Sequence, residues 1–168
     1  MLLTHRLGLG RIIAAGLLFT LGGAGLVHAA PGDSALIKSR QDKLRDLGSS
    51  LKAVDDELKK RSPDWEGTIL PNAQNVEGRS NFLLKWFPKG TGPESGVKTY
   101  ALPAIWEKSD DFNRLGKAAQ LEAAKLHGMA NASKDADALR GQVIALGKAC
   151  KACHDSYRSP DYEKDSEN

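Results

Sequence analysis

The only two cysteines of the 168-residue chain, Cys150 and Cys153, lie three positions apart near its C-terminal end, and His154 follows directly. Two thiols and one imidazole at this spacing have four chemical interpretations: a disulfide, half of a zinc site, a redox dithiol, or the covalent attachment point of a cofactor. The elements that position these residues decide among the four.

Apolar residues recur every three or four positions in three segments, which predicts three long amphipathic helices. Asp33 or Ser34 is a suitable N-cap for the first helix, and the last helix carries both cysteines on its apolar side. A shorter, less regular helix is predicted over about 75–87, with breaks near 62–63, 71, 88–93 and 128–134. The apolar stripes consist of Leu36, Leu44, Leu47, Leu51, Val54 and Leu58; Ile105, Phe112, Leu115, Ala119, Ala123 and Leu126; and Leu139, Val143, Leu146, Cys150, Cys153 and Tyr157.

Four helices with short connections predict an all-α, up-down-up-down antiparallel four-helix bundle. Because no strand is predicted ahead of the cysteines, a thioredoxin-like dithiol is disfavoured. Zinc needs about four ligands, and beyond residue 29 the only histidine besides His154 is His127. A disulfide across two intervening residues would distort the helix. The pattern C-x-x-C-H is that of c-type haem attachment, in which each thiol forms a thioether and the histidine binds the iron.

Residues 1–29 have the pattern of a cleaved secretory signal peptide. Arg6 and Arg11 precede an uncharged apolar run over 12–27, and a small-residue cleavage site ends at Ala29. The run reaches only ~24 Å as a helix, less than the ~30 Å of a bilayer core. We therefore predict a periplasmic protein without a membrane anchor, with its folded domain over 30–158 and a flexible charged tail over 159–168.

The charge of the chain gives no indication of a polyanionic partner. Removal of the signal peptide lowers the formal net charge from +3 to about +1, too little to favour nucleic acid or an anionic membrane.

An alternating bundle brings one set of side chains to the end that holds the cysteines. Arg40 is the one charged residue on an otherwise apolar stripe. It is predicted either to extend its head to water or to pair with a haem propionate, which suits a planar guanidinium. His127 and Met129 are expected ~30 Å away, at the other end. The predicted set at the cysteine end comprises Arg40, Gln41, Leu44, Trp86, Phe87, Thr99, Ile105 and Trp106.

The chain resembles the cytochromes c prime, the class II c-type cytochromes, over nearly all of residues 30–158. The resemblance is carried by SRQDKLRDLG, WFPKGTG, TYALPAIW and the C-terminal CKACHDSYR. It implies a four-helix bundle, often a homodimer, with one haem c per chain. It also implies that Cys150 and Cys153 hold the haem covalently and that His154 is the proximal iron ligand.

The same resemblance assigns roles to five further residues. Arg40 and Gln41 match a pair near the propionates, and Thr99 matches a less constant haem-contact position. Arg158 matches a basic residue beside the proximal face. Leu44 stands where some low-spin relatives carry a methionine that is the sixth ligand. The resemblance therefore implies five-coordinate, high-spin iron with an apolar distal pocket.

Two functions are compatible with such a haem. The first is one-electron transfer with a redox partner protein that the sequence does not name. The second is binding of nitric oxide or carbon monoxide at the open iron position, where Leu44 disfavours larger or hydrogen-bonding ligands. A peroxidase-like enzyme is disfavoured, because no distal histidine or acid is evident.

Overall fold

The computed structural model describes residues 31–166, so the predicted signal peptide lies outside the described residues. Apart from a single bridge between Ala101 and Arg158, these residues contain no β-structure. Within the same range, no helix is long and apolar enough to cross a membrane. The helices are α1, Pro31–Leu58; α2, Leu70–Ser80; α3, Ala104–Glu107; α4, Ser109–Ala132; α5, Ala136–Tyr157; and α6, Asp161–Ser166.

The four long helices close into a ring. Helix α1 packs against α2, α2 against α4, α4 against α5, and α5 against α1. Contacts between helix ends show the alternation of direction: Trp65, just before α2, donates its indole N–H to the carbonyl of Ala130, near the end of α4, at 2.8 Å. Arg140 at the start of α5 donates to the carbonyl of Leu58, the last residue of α1. The predicted antiparallel four-helix bundle is confirmed.

The buried apolar side chains form two clusters. The main cluster fills the end that holds Trp65 and Ala130, and fully burying each large aliphatic side chain contributes about 1.5–3 kcal/mol. The second cluster, at the other end, is smaller: Ala101, Ile105, Phe112 and Tyr157. The main cluster comprises Val54, Leu58, Trp65, Ile69, Ala73, Val76, Ala123, Leu126, Ala130, Leu139, Val143 and Leu146.

The second helix starts earlier than the sequence predicted. The Asp64 carboxylate accepts the N–H of Gly67 at 2.9 Å and opens a single π-helical turn, Trp65–Ile69, that runs directly into α2. Pro71 lies in the first turn of α2, where a helix needs no proline N–H. The predicted break at Pro71 is therefore wrong. The break predicted at 128–134 is present, but it is confined to residues 133–135, because α4 continues to Ala132 and α5 begins at Ala136.

The apolar stripe of α1 begins one residue later than predicted. Leu36 is 50% exposed, whereas Ile37 is 1% exposed. The buried positions Ile37, Arg40, Leu47 and Val54 are three or seven residues apart, so they lie on one side of the helix. The side of α1 that faces the bundle therefore includes Arg40.

The structure describes a helix in part of the segment for which a flexible charged tail was predicted. Residues 161–166 form α6, and Tyr162 packs edge to face against Tyr100, with ring centroids 5.2 Å apart. The charged composition of the tail suggested a frayed end, but its charges meet partners on another segment of the fold.

Candidate haem site

Helix α5 carries both thiols and the imidazole at its C-terminal end. Asp135 caps its start by accepting the N–H groups of Asp137 and Ala138 at 3.1 and 3.0 Å. Residues three apart lie on the same side of a helix, and both cysteines pack inward as free thiols. Cys150 contacts the main cluster and Cys153 the second cluster. The cysteine pair therefore spans the junction between the two parts of the core.

Burial keeps both thiols protonated at neutral pH. It raises the pKa of Cys150, and it raises the pKa of Cys153 to about 11, with a smaller contribution from Cys150. Low-pKa thiolates are the mark of redox dithiols, and these cysteines have the opposite property. The structure thus gives no support to a thioredoxin-like role.

The imidazole of His154 is held neutral. Burial lowers the pKa of His154 to about 4, and the positive charge of Arg158 makes a smaller contribution in the same direction. Within residues 31–166 the ring makes no hydrogen bond or ion pair. A neutral imidazole is the form that binds metals.

The donor set fits a covalent haem. Two inward-facing thiols three residues apart suit the two thioethers, and the adjacent neutral imidazole suits an axial bond to iron. Elsewhere in the described range, no group of three or more His, Cys, Asp or Glu side chains is placed to hold a metal ion.

Arg40 is buried in the interior and does not reach water. Arg40 is only 2% exposed, and its guanidinium lies 4.8 Å from the ring centroid of Phe87. One terminal nitrogen donates to Thr91 Oγ1 at 2.9 Å, and the other donates to the Thr91 carbonyl and to Thr99 Oγ1, both at 2.9 Å. The alternative in which Arg40 extends to solvent is wrong.

The bonds of Arg40 leave its charge without a bonded anion. Burial lowers the pKa of Arg40, while the negative charge of Glu94 opposes that shift. Arginine stays protonated in proteins, and its bonded oxygens here are all neutral. Burial of a cation is costly without a paired charge, so a carboxylate within reach of this guanidinium would be stabilised.

The structure brings Gln41 and Thr99 close to Arg40. Gln41 Nε2 donates to the carbonyl of Lys98 at 3.2 Å. Thr99 Oγ1 accepts from Arg40 and also, at 3.2 Å, from the N–H of Ala101. Arg40, Gln41 and Thr99 thus join the first part of α1 to the segment that leads into α3.

Sequence reasoning missed Thr91, which is 1% exposed. Its hydroxyl donates to the carbonyl of Pro88 at 2.7 Å while accepting from Arg40. Gly90 has a φ of +84°, a conformation that favours glycine, and this turn places Thr91 under the guanidinium. In the sequence, the only indication of this buried polar residue was its position between two glycines.

Aromatic side chains line the cysteine end as predicted. Phe112 packs edge to face against both Phe87 and Tyr157, with centroids 5.0 and 5.2 Å apart. Trp106 donates its indole N–H to the carbonyl of Phe87 at 3.1 Å. Phe87 and Trp106 pack against the second cluster together with Cys153.

Leu44, on α1, and Arg158, directly after α5, lie in different surroundings. Leu44, one turn after Arg40, is partly exposed and, among the residues described, belongs to neither apolar cluster. Arg158 ends α5, where its guanidinium contacts Glu163 at 2.7 Å and lies 4.3 Å from the ring centroid of Tyr162.

His127 and Met129 lie at the end of the bundle away from Arg40. Met129 packs against the main cluster. His127 Nδ1 lies 2.5 Å from Glu77 Oε2 and so links α4 to α2. His127 is thus a partly buried inter-helix contact near the C-terminal end of α4.

Comparison with known proteins places this site in a family. The family model for cytochrome C′ matches residues 35–158, which is more than half of the chain. The chain belongs to the cytochrome c′ family. Its cofactor is haem c, and it is a c-type haem cytochrome.

Individual relatives agree with this assignment. The chain is 33% identical to the cytochrome c′ of Alcaligenes xylosoxydans xylosoxydans over 77% of this chain and 96% of that protein. It is 41% identical to a cytochrome c-554 of Cereibacter sphaeroides over 53% of this chain. The match spans 66% of that cytochrome c-554 and 48% of a second one from the same species.

A solved structure has the same fold. The nitric oxide complex of a variant of cytochrome c prime from Alcaligenes xylosoxidans superimposes with a TM-score of 0.66. It is 29% identical, and the match covers 76% of this chain and 96% of that one.

Proposed function

We propose that Cys150 and Cys153 hold the haem covalently, that His154 is its axial ligand, and that the protein transfers single electrons in the periplasm. Haem iron, when bound, supplies the ferric–ferrous couple for this function. The observation that carries the proposal is the donor set at the end of α5: two free, inward-facing thiols and a neutral imidazole without a hydrogen-bonding partner among residues 31–166.

Arg40 is proposed to bind a haem propionate. Its guanidinium is fixed by Thr91 and Thr99 and has no directly bonded anion among the described residues, although Glu94 acts on it from a distance. A carboxylate near this guanidinium would supply a compensating negative charge, and charge-assisted hydrogen bonds of this kind are stronger than neutral ones. Gln41 extends the same polar patch towards Lys98.

The iron is proposed to be five-coordinate and high-spin. Leu44 has no donor atom, and Met129 packs in the main cluster at the other end of the bundle. With His154 as the single protein ligand, the sixth position stays open to small molecules.

Gas binding is the second candidate function, and the solved structures of relatives favour it. Three variants of the cytochrome c prime from Alcaligenes xylosoxidans were solved with nitric oxide. An open position near an apolar Leu44 suits uncharged diatomic ligands such as nitric oxide and carbon monoxide. Electron transfer and gas binding can share this scaffold, since electron transfer needs only the haem and gas binding needs the open iron position.

Export to the periplasm rests on residues 1–29, which have a signal-peptide pattern. c-type attachment is compatible with an exported protein, and cleavage after Ala29 would leave the whole matched region, residues 35–158, intact. The homodimer stays a prediction from the family resemblance.

Histidine variants test the proposal. The ferrous wild-type protein is expected to show a broad, unsplit high-spin band, and its colour should remain with the protein in acid–acetone. His154→Gln should alter this spectrum, whereas the matched control His127→Gln should keep it, because His127 bonds to Glu77 instead. Sharp low-spin bands in the wild type would reveal a second protein ligand and overturn the five-coordinate assignment. Extraction of the haem from the wild type would overturn the covalent attachment.

A further inference from the structure

Helix α6 lies beyond the region that the family model matches. That match ends at residue 158, whereas the chain continues into α6, Asp161–Ser166. The helix folds back onto the segment 98–102, which leads into α3. The structure therefore contains an element at the cysteine end that the family pattern does not include.

Backbone hydrogen bonds fix the point where the chain turns back. The N–H of Leu102 donates to the carbonyl of Tyr157 at 3.0 Å, and the N–H of Ser159 donates to the carbonyl of Tyr100 at 2.7 Å. Ala101 and Arg158 form the antiparallel bridge between these two bonds. Arg158 is thus held in extended conformation directly after α5.

Side chains then hold α6 against the same segment. Tyr100 packs edge to face on Tyr162, and its hydroxyl donates to Asp165 Oδ2 at 2.7 Å. Lys98 Nζ lies 2.8 Å from the same Asp165 oxygen. These contacts tie both ends of α6 to residues 98–100.

The Arg158 guanidinium is held by α6 itself. It lies over the Tyr162 ring at 4.3 Å and bonds to Glu163 Oε1 at 2.7 Å. Arg158 follows His154 by four residues, and its N–H donates to the His154 carbonyl at 3.0 Å. The backbone of Arg158 is thereby fixed against the last turn of α5, one turn after His154.

We propose that α6 is a strap in which Tyr162 and Glu163 act as positioning residues that hold Arg158 beside the axial histidine. The effect on haem rests on the proposed role of His154, whereas the strap itself does not. Without the strap, the arginine side chain is free to move into solvent, where its charge is screened. The strap therefore sets how strongly Arg158 acts on the ferric–ferrous equilibrium.

Cleavage by an arginine-specific protease tests the strap without reference to haem. Cleavage after Arg158 requires release of the bridge to Ala101 and of the guanidinium, so its rate follows the population of the open form. The double variant Tyr162→Ala/Glu163→Gln should be cut there about tenfold faster than the wild type, a factor that corresponds to about 1.4 kcal/mol. The control Asp161→Asn removes the same charge from α6, but Asp161 contacts Ser159 and Lys164 and not Arg158. The control should therefore be cut at close to the wild-type rate. Equal rates in the wild type and the double variant would overturn the strap.

A double-mutant cycle on the reduction potential tests the positioning of Arg158 in the haem-loaded protein. Arg158→Gln removes a positive charge that favours ferrous haem, so it should lower the potential. In the Tyr162→Ala/Glu163→Gln background, Arg158→Gln should lower the potential by less than about half of the shift that it causes in the wild type. An equal shift in both backgrounds would overturn the positioning role even if the protease result supports the strap. Failure of the proposed function is distinguishable, because it would show first in the wild type as a missing or low-spin haem spectrum.

Discussion

Replacing Arg40 by methionine tests whether this arginine organises the cysteine end. Arg40 is 2% exposed and makes three hydrogen bonds of 2.9 Å, two to Thr91 and one to Thr99. Hydrogen bonds to a charged group contribute about 1.5–3 kcal/mol each, or roughly 4.5–9 kcal/mol in total before desolvation. Methionine avoids the cost of burying the guanidinium, which is several kcal/mol. We expect the free energy of unfolding to fall by about 2–4 kcal/mol.

Urea unfolding of the haem-loaded protein measures this loss, with Arg45→Met as the matched control. Arg45 lies on the same helix, its side chain is 60% exposed, and it pairs with Asp42. Exposed ion pairs contribute about 0–1 kcal/mol, so the control should unfold close to the wild type. If Arg40→Met loses no more stability than Arg45→Met, the three hydrogen bonds do not hold the segment 91–99, and the reasoning from burial is wrong.

The reduction potential of the same two variants tests the propionate. Loss of a buried positive charge near the haem should lower the potential of Arg40→Met, because ferrous haem carries one positive charge less than ferric haem. Arg45→Met should leave it nearly unchanged, since solvent screens an exposed charge. A destabilised Arg40→Met with an unchanged potential would assign Arg40 a purely structural role.

Three further predictions address other parts of the molecule. Leu44→Met should fold normally, since such swaps cost less than ~1.5 kcal/mol. The variant should make the haem at least partly low-spin and slower to bind carbon monoxide. If it stays fully high-spin with unchanged carbon monoxide kinetics, Leu44 does not lie over the iron. The pKa of Glu57 is lowered by the N–H of Asp64 and by Lys60, so its stabilisation is present above its unfolded pKa and is lost as pH falls through the folded pKa. Glu57→Gln should therefore flatten the decline of the urea midpoint below about pH 4.5, and an unchanged slope would contradict this. A Cβ on Gly92 would lie 2.7 Å from the Trp106 ring, whereas one on Gly128 meets nothing within 4 Å. Gly92→Ala should therefore lower the stability by about 1–3 kcal/mol, and Gly128→Ala should raise it by up to about 1 kcal/mol. Equal melting temperatures of the two variants would refute the packing argument.

Sequence reasoning located what depends on local periodicity. The regular apolar spacing of α5 predicted its length and the inward placement of Cys150 and Cys153, because packing and helical period agree along that segment. Arg40 was found for the same reason, as a charged residue that interrupts an apolar stripe. The family resemblance then assigned roles that the period alone could not assign.

The features that were missed depend on contacts between distant segments. The start of α2 depends on Asp64 capping a π-helical turn whose Trp65 bonds to Ala130, a residue on another helix. Thr91 is buried because a turn at Gly90 brings it under Arg40. The order of α6 depends on Tyr100 and Lys98, about sixty residues earlier in the chain. None of these partners is visible in the local pattern of the segment concerned.

The uneven core of the bundle gives an independent reason to place the haem at the cysteine end. The main cluster is extensive, whereas the second cluster has four buried members. Around the second cluster, apolar side chains that include Leu84, Phe87 and Trp106 remain only partly buried. Apolar surface left beside a small core is costly in a protein without a partner for it. A porphyrin bonded to Cys150 and Cys153 would offer that apolar surface a partner, so we infer that the haem completes the core at this end.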